Sequence, residues 1–170
     1  PAFRFGDVPE GHVFEYEAHW LAANDITRGC NPPDNDRFCP EDPVTRGQMA
    51  AFLVRALHLP VGSKVFVDTS GHLFEKEVAA LATSDVTRGC NPPDNDRFCP
   101  DDLVTRGEMA AFLTRALDLD RGTDSFQDAT GHLFEGEIAA LAASGITRGC
   151  NPPDNDRFCP DAPVTRGQMA

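Results

Sequence analysis

Residues 27–40 read TRGCNPPDNDRFCP, and the same letters return unchanged at residues 87–100 and 147–160. Each copy starts 60 residues after the one before it. A fixed period of this size is typical of repeat proteins, in which every unit buries its apolar face against its neighbours. The chain is therefore predicted to be one structural unit written three times.

The period divides the 170 residues into three repeats: 1–59, 60–119 and 120–170. A unit of about 60 residues is at the small end for independent folding, so we expect the repeats to share a core and to be stapled internally. The final letters, TRGQMA, stop where the first two repeats continue as AFLVRAL and AFLTRAL. We expect a truncated third repeat and a native polypeptide that continues past Ala170.

Two helices are predicted in each repeat. Phe14, Ala18 and Leu21 recur at the spacing of one face of an amphipathic helix. Thr45 and Gln48 have the form of a capping box, which marks the start of a second helix. The loop between them is rich in Pro, Asn and Asp and cannot be helical. The predicted fold is mainly α, with a helix, a loop and a helix in each repeat.

The charge of the chain excludes one class of partner. The formal charge is −12, and binding to a phosphate backbone needs a basic surface, so we expect no nucleic-acid partner. Only Lys64 and Lys76 are lysines among 15 basic residues. Arginines at repeated positions suit specific contacts with carboxylate or phosphate, although high-GC coding produces the same bias. No apolar run is long enough to span a membrane, and we expect no direct membrane insertion.

Six cysteines occur as one pair per repeat. The eight residues within a pair exceed the spacing of common zinc sites, and no histidine pattern accompanies them. The repetition favours pairing within each repeat, and disulfides imply an oxidising, extracellular location. The predicted disulfides are Cys30–Cys39, Cys90–Cys99 and Cys150–Cys159.

A Thr-Arg-Gly sequence at the start of each second helix is a candidate anion site. Free helix amides, a glycine that allows close approach and an arginine fork converge there. The candidate residues are Thr45, Arg46, Gly47, Thr105, Arg106, Gly107 and Arg166. The alternative is that Arg46 pairs with Asp42 or Asp34 and fixes the helix start. A second Thr-Arg-Gly before each loop adds Arg28, Arg88 and Arg148, which line the same groove or remain solvated or paired with aspartate.

The acidic loop residues are candidate calcium ligands, because calcium takes six to eight oxygens in flexible geometry. The candidates are Asp34, Asp36, Asp94, Asp96, Asp154 and Asp156. The loop lacks the glycine and bidentate glutamate of the common helix-loop-helix calcium site, and hydrogen-bonded Asx turns explain the same residues. The two hypotheses for these residues are therefore a calcium site and Asx turns without a metal. No cofactor other than calcium is expected.

Several motifs in a fixed order resemble the S-layer homology repeat: Phe-x-Asp, Gly-His-x-Phe, an amphipathic helix, the Pro/Asp loop and Val-Thr-Arg-x-Gln/Glu-Met-Ala. The resemblance implies a pseudo-threefold helical assembly that binds acidic, often pyruvylated, secondary cell-wall polysaccharide in grooves between repeats. It implies a ligand contact for the arginine of a Thr-Arg-Ala-Glu motif, here Arg46, Arg106 and Arg166. This chain departs from the family in its cysteines, its PPDNDRF loop and the glycine that replaces the alanine.

The expected function is a secreted, non-catalytic module that anchors to the cell wall. No Ser-His-acid constellation and no phosphate-cradling glycine loop points to an enzyme. The rival hypothesis is a structural module that associates with itself into a surface layer or fibre. A third hypothesis is a calcium-dependent adhesive repeat.

Overall fold

The computed structural model describes residues 5–123 and 126–170. Within these residues the secondary structure consists of six helices, and isolated β-bridges replace any named strand. The helices are α1 Glu15–Ala23, α2 Arg46–Leu57, α3 Glu75–Thr83, α4 Arg106–Ala116, α5 Glu135–Ala143 and α6 Arg166–Met169. The prediction of a mainly helical protein with two helices and an intervening loop in each repeat is confirmed.

A capping box starts each second helix, as the sequence predicts. The Thr45 side chain accepts a hydrogen bond from the backbone N–H of Gln48, and the Gln48 side chain accepts one from the backbone N–H of Thr45. The same reciprocal pair starts α4 and α6. Two N–H groups that a helix start leaves unsatisfied are thereby bonded locally. The length of the second helix in the third repeat is four residues in this chain.

A closed ring of three backbone hydrogen bonds lies at the centre of the fold. The N–H of Val44 donates to the carbonyl of Val164, Val104 donates to Val44, and Val164 donates to Val104, each at 2.9 Å. All three valines are fully buried. Every repeat therefore gives one bond and receives one, which is the pseudo-threefold arrangement expected from the resemblance.

The start of each second helix docks on the loop of the following repeat. The backbone N–H of Arg46 donates to the carbonyl of Asp102, and that of Gly47 donates to Pro100, at 2.9 and 2.8 Å. The equivalent bonds join the second repeat to the third, and the third back to the first. These amides have no partner inside their own helix, so the neighbouring repeat satisfies them.

Glycine at the second helical position has a packing reason. A Cβ atom added at Gly47 would lie 2.5 Å from a ring carbon of Phe74 and 3.1 Å from the carbonyl oxygen of Pro100. At Gly107 the corresponding neighbour is Phe134, at 2.9 Å. The glycine lets the helix start lie directly against the next repeat, and the aromatic side chain occupies the space that a larger residue would need.

Each loop is held by an aspartate and a disulfide. Asp68 accepts hydrogen bonds from the backbone N–H groups of Phe98 and Cys99, at 2.9 and 2.7 Å. Phe98 lies fully buried beneath the loop. The same contacts recur at Asp7 and Asp128. The structure joins the predicted cysteine pairs in disulfides: Cys30–Cys39, Cys90–Cys99 and Cys150–Cys159.

The environment of Asp68 lowers the pKa of its carboxyl group. Partial burial acts to raise this pKa, but the hydrogen bonds from Phe98 and Cys99 outweigh it, with help from the charge of Arg97. A pKa below its unfolded value means that the ionised carboxylate stabilises the fold above about pH 4. That stabilisation is lost as the pH falls through the folded-state pKa.

We predict that Asp68→Asn lowers the free energy of unfolding at pH 7 by about 1.5–3 kcal/mol, the value of hydrogen bonds to a charged group. The difference in the free energy of unfolding between Asp68→Asn and the wild type should become smaller below about pH 4, where the wild-type carboxyl is itself protonated. Urea unfolding between pH 3 and 7 checks this. Asp94→Asn, in the same loop and exposed, is the control and should change stability by less than about 0.5 kcal/mol. A gap independent of pH would contradict the role assigned to the charge.

Candidate functional site

The three arginines predicted as ligand contacts lie inside the seams between repeats. Arg46, Arg106 and Arg166 are 4, 8 and 5% exposed. The Nε–H of Arg46 donates to the carbonyl of Phe98 at 2.7 Å, and its guanidinium carbon lies 4.9 Å from the centre of the Phe98 ring. Arg106 contacts Phe158 and Arg166 contacts Phe38 in the same way. Each arginine thus joins its own helix to the loop of the next repeat.

Burial lowers the pKa of these arginines, because the charged form loses solvation. Nearby carboxylates oppose the shift, and Glu108 is the foremost of them at Arg46. Arg46 Nη1 lies 2.8 Å from the Glu108 carboxylate. This glutamate belongs to the next repeat, so the structure differs from the alternative prediction of a partner at Asp42 or Asp34. The distance of 2.8 Å identifies Glu108 as the partner, because the Arg46 side chain extends across the seam into the next repeat.

The helix amides that the sequence offered to an anion are already occupied. The N–H groups of Arg46 and Gly47 donate to backbone carbonyls of the next repeat, and the threonine that precedes them is engaged in the capping box. A ligand in this region would meet arginine side chains and not the free helix amides that were expected.

Cavities follow two of the seams, and equivalent residues flank the third. We call all three grooves and name each by the repeat whose second helix forms one wall. The second groove is a cavity of about 740 Å³ bounded by α4 and by the segment that leads into α5. Its lining includes Arg46, Arg88, Arg115, Leu133 and Glu137. Arg88 is exposed. Arg115 and Glu137 are half-buried and form an ion pair at 3.6 Å.

The first groove repeats this arrangement along α2 and α3. Arg55 forms an ion pair with Glu77 at 3.9 Å and donates to the carbonyl of Ile26. Burial lowers the pKa of Arg55, and the positive charge of Arg28 lowers it further. Arg115 and Arg88 show the same mutual effect in the second groove. Arg88 and Arg115 line the same cavity in the second groove, and Arg28 and Arg55 hold the equivalent positions in the first repeat.

The third groove is a cavity of about 520 Å³. Arg106, Arg148, Gln168 and Phe14 contribute to its lining. Phe14 comes from the first repeat, so this groove crosses the seam that closes the ring. The structure thus places Arg28, Arg88 and Arg148 at corresponding positions on the loops beside the three seams.

Arg55 and Arg115 are groove residues that the sequence reasoning did not select. Both lie near the end of a second helix, where a basic residue complements the helix dipole. That role is enough to explain these residues in the sequence, so it gives no reason to predict a groove contact. The available signal was their recurrence at one position of two repeats. Only their ion pairs with Glu77 and Glu137, and the cavity that Arg115 lines, show that they face a groove.

Calcium binding by the loop aspartates stays a prediction, and the structure shows what the side chain of one of them contacts. Asp36 accepts a hydrogen bond from the side-chain amide of Asn31 at 2.7 Å, and the same bond recurs in the other repeats. The candidate metal clusters among the described residues each combine the anchoring aspartate with the two sulfurs of a disulfide. The aspartates that the sequence nominated belong to none of these clusters.

Fold and site together define a class of protein: a ring of helical repeats whose seams are lined with arginines. The chain matches the S-layer homology domain at residues 65–110 and 125–170, and it belongs to that family. The family places the protein at the cell surface or cell wall and indicates an anchoring role of the S-layer type. Within the described residues, no helix has the length and apolar character needed to cross a membrane.

Curated relatives agree with the family. The S-layer protein sap of Bacillus anthracis is 27% identical over 98% of this chain, and an S-layer protein of Bacillus thuringiensis subsp. finitimus matches to the same extent. This chain spans 20% of the length of each. An endoglucanase of Bacillus sp. (strain KSM-635) is 35% identical over 48% of this chain, a match that covers 8% of that enzyme. The endoglucanase match therefore concerns a small part of the enzyme.

We predict that Arg106→Ala lowers the free energy of unfolding by about 3 kcal/mol, because it leaves buried carbonyls without their charged donor. Urea unfolding measures the change. Arg88→Ala removes the same charge from an exposed position and should change stability by less than about 0.5 kcal/mol. Equal unfolding midpoints for the two variants would contradict the structural role of the seam arginine.

Proposed function

We propose that the chain anchors its protein to the cell wall by binding an acidic wall polysaccharide in the arginine-lined grooves. The arginines gathered in the second groove, with their equivalents in the first, carry the proposal. Arg88 and Arg115 line one cavity, and burial together with the charge of Arg28 lowers the pKa of Arg55 at the equivalent place in the first repeat. Like charges brought together in a cleft are an arrangement that favours an anionic ligand.

The balance of charge over the molecule strengthens this argument. The chain carries a formal charge of −12, so an acidic polymer is repelled by most of its surface. The grooves offer arginine forks, which bind carboxylate in a planar, two-pronged geometry. A ligand with spaced acidic groups, such as a pyruvylated polysaccharide, suits such sites better than a ligand that needs uniform positive charge.

The groove surface also suits a sugar. In the second groove, Leu133 is 83% exposed and stands at the same rim as Arg88 and Arg115. Sugars and their pyruvate substituents present apolar faces beside polar groups, and a rim of this mixed character accommodates both. Leu73 has the same exposure in the equivalent place of the preceding repeat.

The ligand contacts proposed from the sequence need a division of roles. Arg46, Arg106 and Arg166 are buried in the seams, and Arg46 and Arg106 also contribute to the lining of cavities. Arg28, Arg88 and Arg148 are exposed and are the primary candidates for the ligand. Thr45, Thr105, Gly47 and Gly107 support the site indirectly, by setting the helix starts.

Self-association into a layer is the rival, since two relatives are named S-layer proteins. One observation weighs against a head-to-tail assembly of open ends. The third repeat docks on the first within one chain, through the bonds of Arg166 to Asp42 and of Gly167 to Pro40. The complementary surfaces of the repeats are buried when the ring closes, so association between chains into a layer would need a different surface.

Cosedimentation tests the proposal. The protein should pellet with purified Gram-positive cell walls and stay in solution with walls from which the secondary polymers have been chemically removed. Pelleting with both preparations would contradict a polymer-specific anchor. Pelleting without any walls, in proportion to concentration, would favour self-association.

We predict that the double variant Arg28→Ala/Arg88→Ala reduces wall binding at least tenfold, because each loss removes a charged contact worth about 1.5–3 kcal/mol. The matched control is Arg37→Ala/Arg97→Ala, which changes the net charge equally at arginines of the same loops; Arg37 is 61% exposed. Binding isotherms from the pelleting assay measure both. An equal loss in the control would mean that overall charge, and not the groove, governs binding.

A further inference from the structure

Each disulfide lies where the seam arginine of the preceding repeat docks. Arg46 donates through Nε to the carbonyl of Phe98 at 2.7 Å and through Nη2 to the carbonyl of Gly89 at 3.3 Å. These two residues directly precede Cys99 and Cys90, which form one disulfide. The carbonyls that accept from the arginine therefore belong to the two peptide groups that lead into the cysteines.

The same arrangement recurs at the other two seams. In each, the arginine Nε donates at 2.7 Å and Nη2 donates at 3.3 or 3.4 Å to the carbonyls that precede the cysteines. The pairs are Arg106 with Cys150–Cys159 and Arg166 with Cys30–Cys39. Every seam thus sets one buried arginine against the two ends of one disulfide.

The N–H sides of the same peptide groups are bonded within their own repeat. The N–H of Cys99 donates to Asp68 Oδ2 at 2.7 Å, and that of Cys90 donates to the carbonyl of Arg97 at 2.8 Å. Asp68 and Arg46 therefore bind opposite ends of one peptide group, a negative charge at its N–H and a positive charge at its carbonyl. Hydrogen bonds in such a chain strengthen one another. The position of each cysteine backbone thus sets how well the seam arginine is held.

The backbone of the second cysteine depends on its surroundings. Cys99 has a φ of 57°, in the left-handed region, and the second cysteine of each other pair has the same value. A residue with a side chain keeps this conformation only where its neighbours fix it. The disulfide to Cys90 and the hydrogen bond to Asp68 both restrain Cys99. Loss of the disulfide removes one restraint and lets the Phe98 carbonyl turn away from Arg46.

The sulfur atoms are within reach of a small reductant. All six cysteines are half-buried, and Cys90 and Cys150 contribute to the lining of the cavities in the second and third grooves. The thiolate of a dithiol attacks one sulfur and forms a mixed disulfide, and its second thiol then displaces the remaining cysteine. The dithiol gives up two electrons and two protons, and the protein gains two thiols.

We propose that each disulfide is a redox-sensitive switch on one boundary of the ring. In the oxidised form it fixes the two carbonyls that bind the seam arginine of the preceding repeat. Reduction by a dithiol releases these carbonyls and loosens that boundary. Full closure of the ring therefore requires oxidation of all three cysteine pairs. The cysteines act as positioning residues for the seam, and wall binding plays no part in the switch.

A disulfide that stapled only its own loop would behave differently. Closing a short loop stabilises a protein by restricting the unfolded chain, and this effect does not involve the arginine of another repeat. A switch on the seam couples the two, and coupling at equilibrium is reciprocal. If the disulfide strengthens the hold on Arg46, Arg46 must make Cys90–Cys99 harder to reduce. The arginine thus provides a test that leaves every cysteine in place.

Equilibration in buffers of reduced and oxidised dithiothreitol, followed by alkylation and trypsin digestion, measures each disulfide separately. The tryptic peptides with the second cysteine differ in sequence: FCPEDPVTR at 38–46, FCPDDLVTR at 98–106 and FCPDAPVTR at 158–166. In Arg46→Ala, half reduction of Cys90–Cys99 should need an at least tenfold lower ratio of reduced to oxidised reagent, relative to the other two pairs. Arg106→Ala should move the effect to Cys150–Cys159. Each seam variant lengthens one peptide, because trypsin no longer cuts at the replaced arginine.

Arg88→Ala is the matched control, because it removes a positive charge two residues from Cys90 at an exposed position. It should shift the half-reduction ratio of Cys90–Cys99 less than twofold. An equal shift of all three pairs in Arg46→Ala would indicate general destabilisation and overturn the switch. No shift in Arg46→Ala, or the same shift in Arg88→Ala, would also overturn it.

The converse variant tests the seam itself. Cys90→Ser/Cys99→Ser removes one disulfide and leaves the other two. The backbone N–H groups of Arg46 and Arg106 both donate across a seam to the next repeat, and NMR hydrogen exchange follows each of them. The Arg46 amide should exchange at least tenfold faster relative to the Arg106 amide. Equal changes at both amides, or none, would contradict a switch that acts on one boundary. If this variant does not fold, the arginine variants with intact disulfides decide.

Discussion

The closure of three repeats into one ring is the constraint on which the structure depends. Val44, Val104 and Val164 pass backbone hydrogen bonds around a fully buried centre, and a seam arginine crosses each boundary beside them. A repeat of about 60 residues buries only a marginal amount of apolar surface by itself. Each therefore completes its helix start with the loop of its neighbour, and the third completes the circle with the first.

The seams also create the grooves. A buried arginine needs partners, and the structure supplies a carbonyl, an aromatic ring and, in the second repeat, a glutamate. The inner arginines hold the ring together, and we propose that the outer ones, including the exposed Arg28 and Arg88, bind the ligand.

The near-identity of the repeats makes their few differences informative. The loops are invariant, held by the same aspartate, disulfide and buried phenylalanine in each copy. A change from Gln48 to Glu108 leaves the capping box unchanged, because one side-chain oxygen suffices for it. The change also adds an ion pair between Glu108 and the buried Arg46 of the preceding repeat, so one substitution alters the contacts of a seam that the three repeats otherwise share.

Local features of this protein were determined by the sequence itself. The helical faces, the capping box at Thr45 and the cysteine pairs rest on residues no more than nine positions apart, and the period of 60 can be read directly from the letters. What Arg46 and Arg166 contact was decided only by the tertiary structure, since their partners lie 43–62 and 128–139 positions away in other repeats. An arginine has the same charge whether it binds a ligand or a carbonyl of its own chain. Which of them it contacts depends on the residues that folding brings close to it, and these are distant in the sequence.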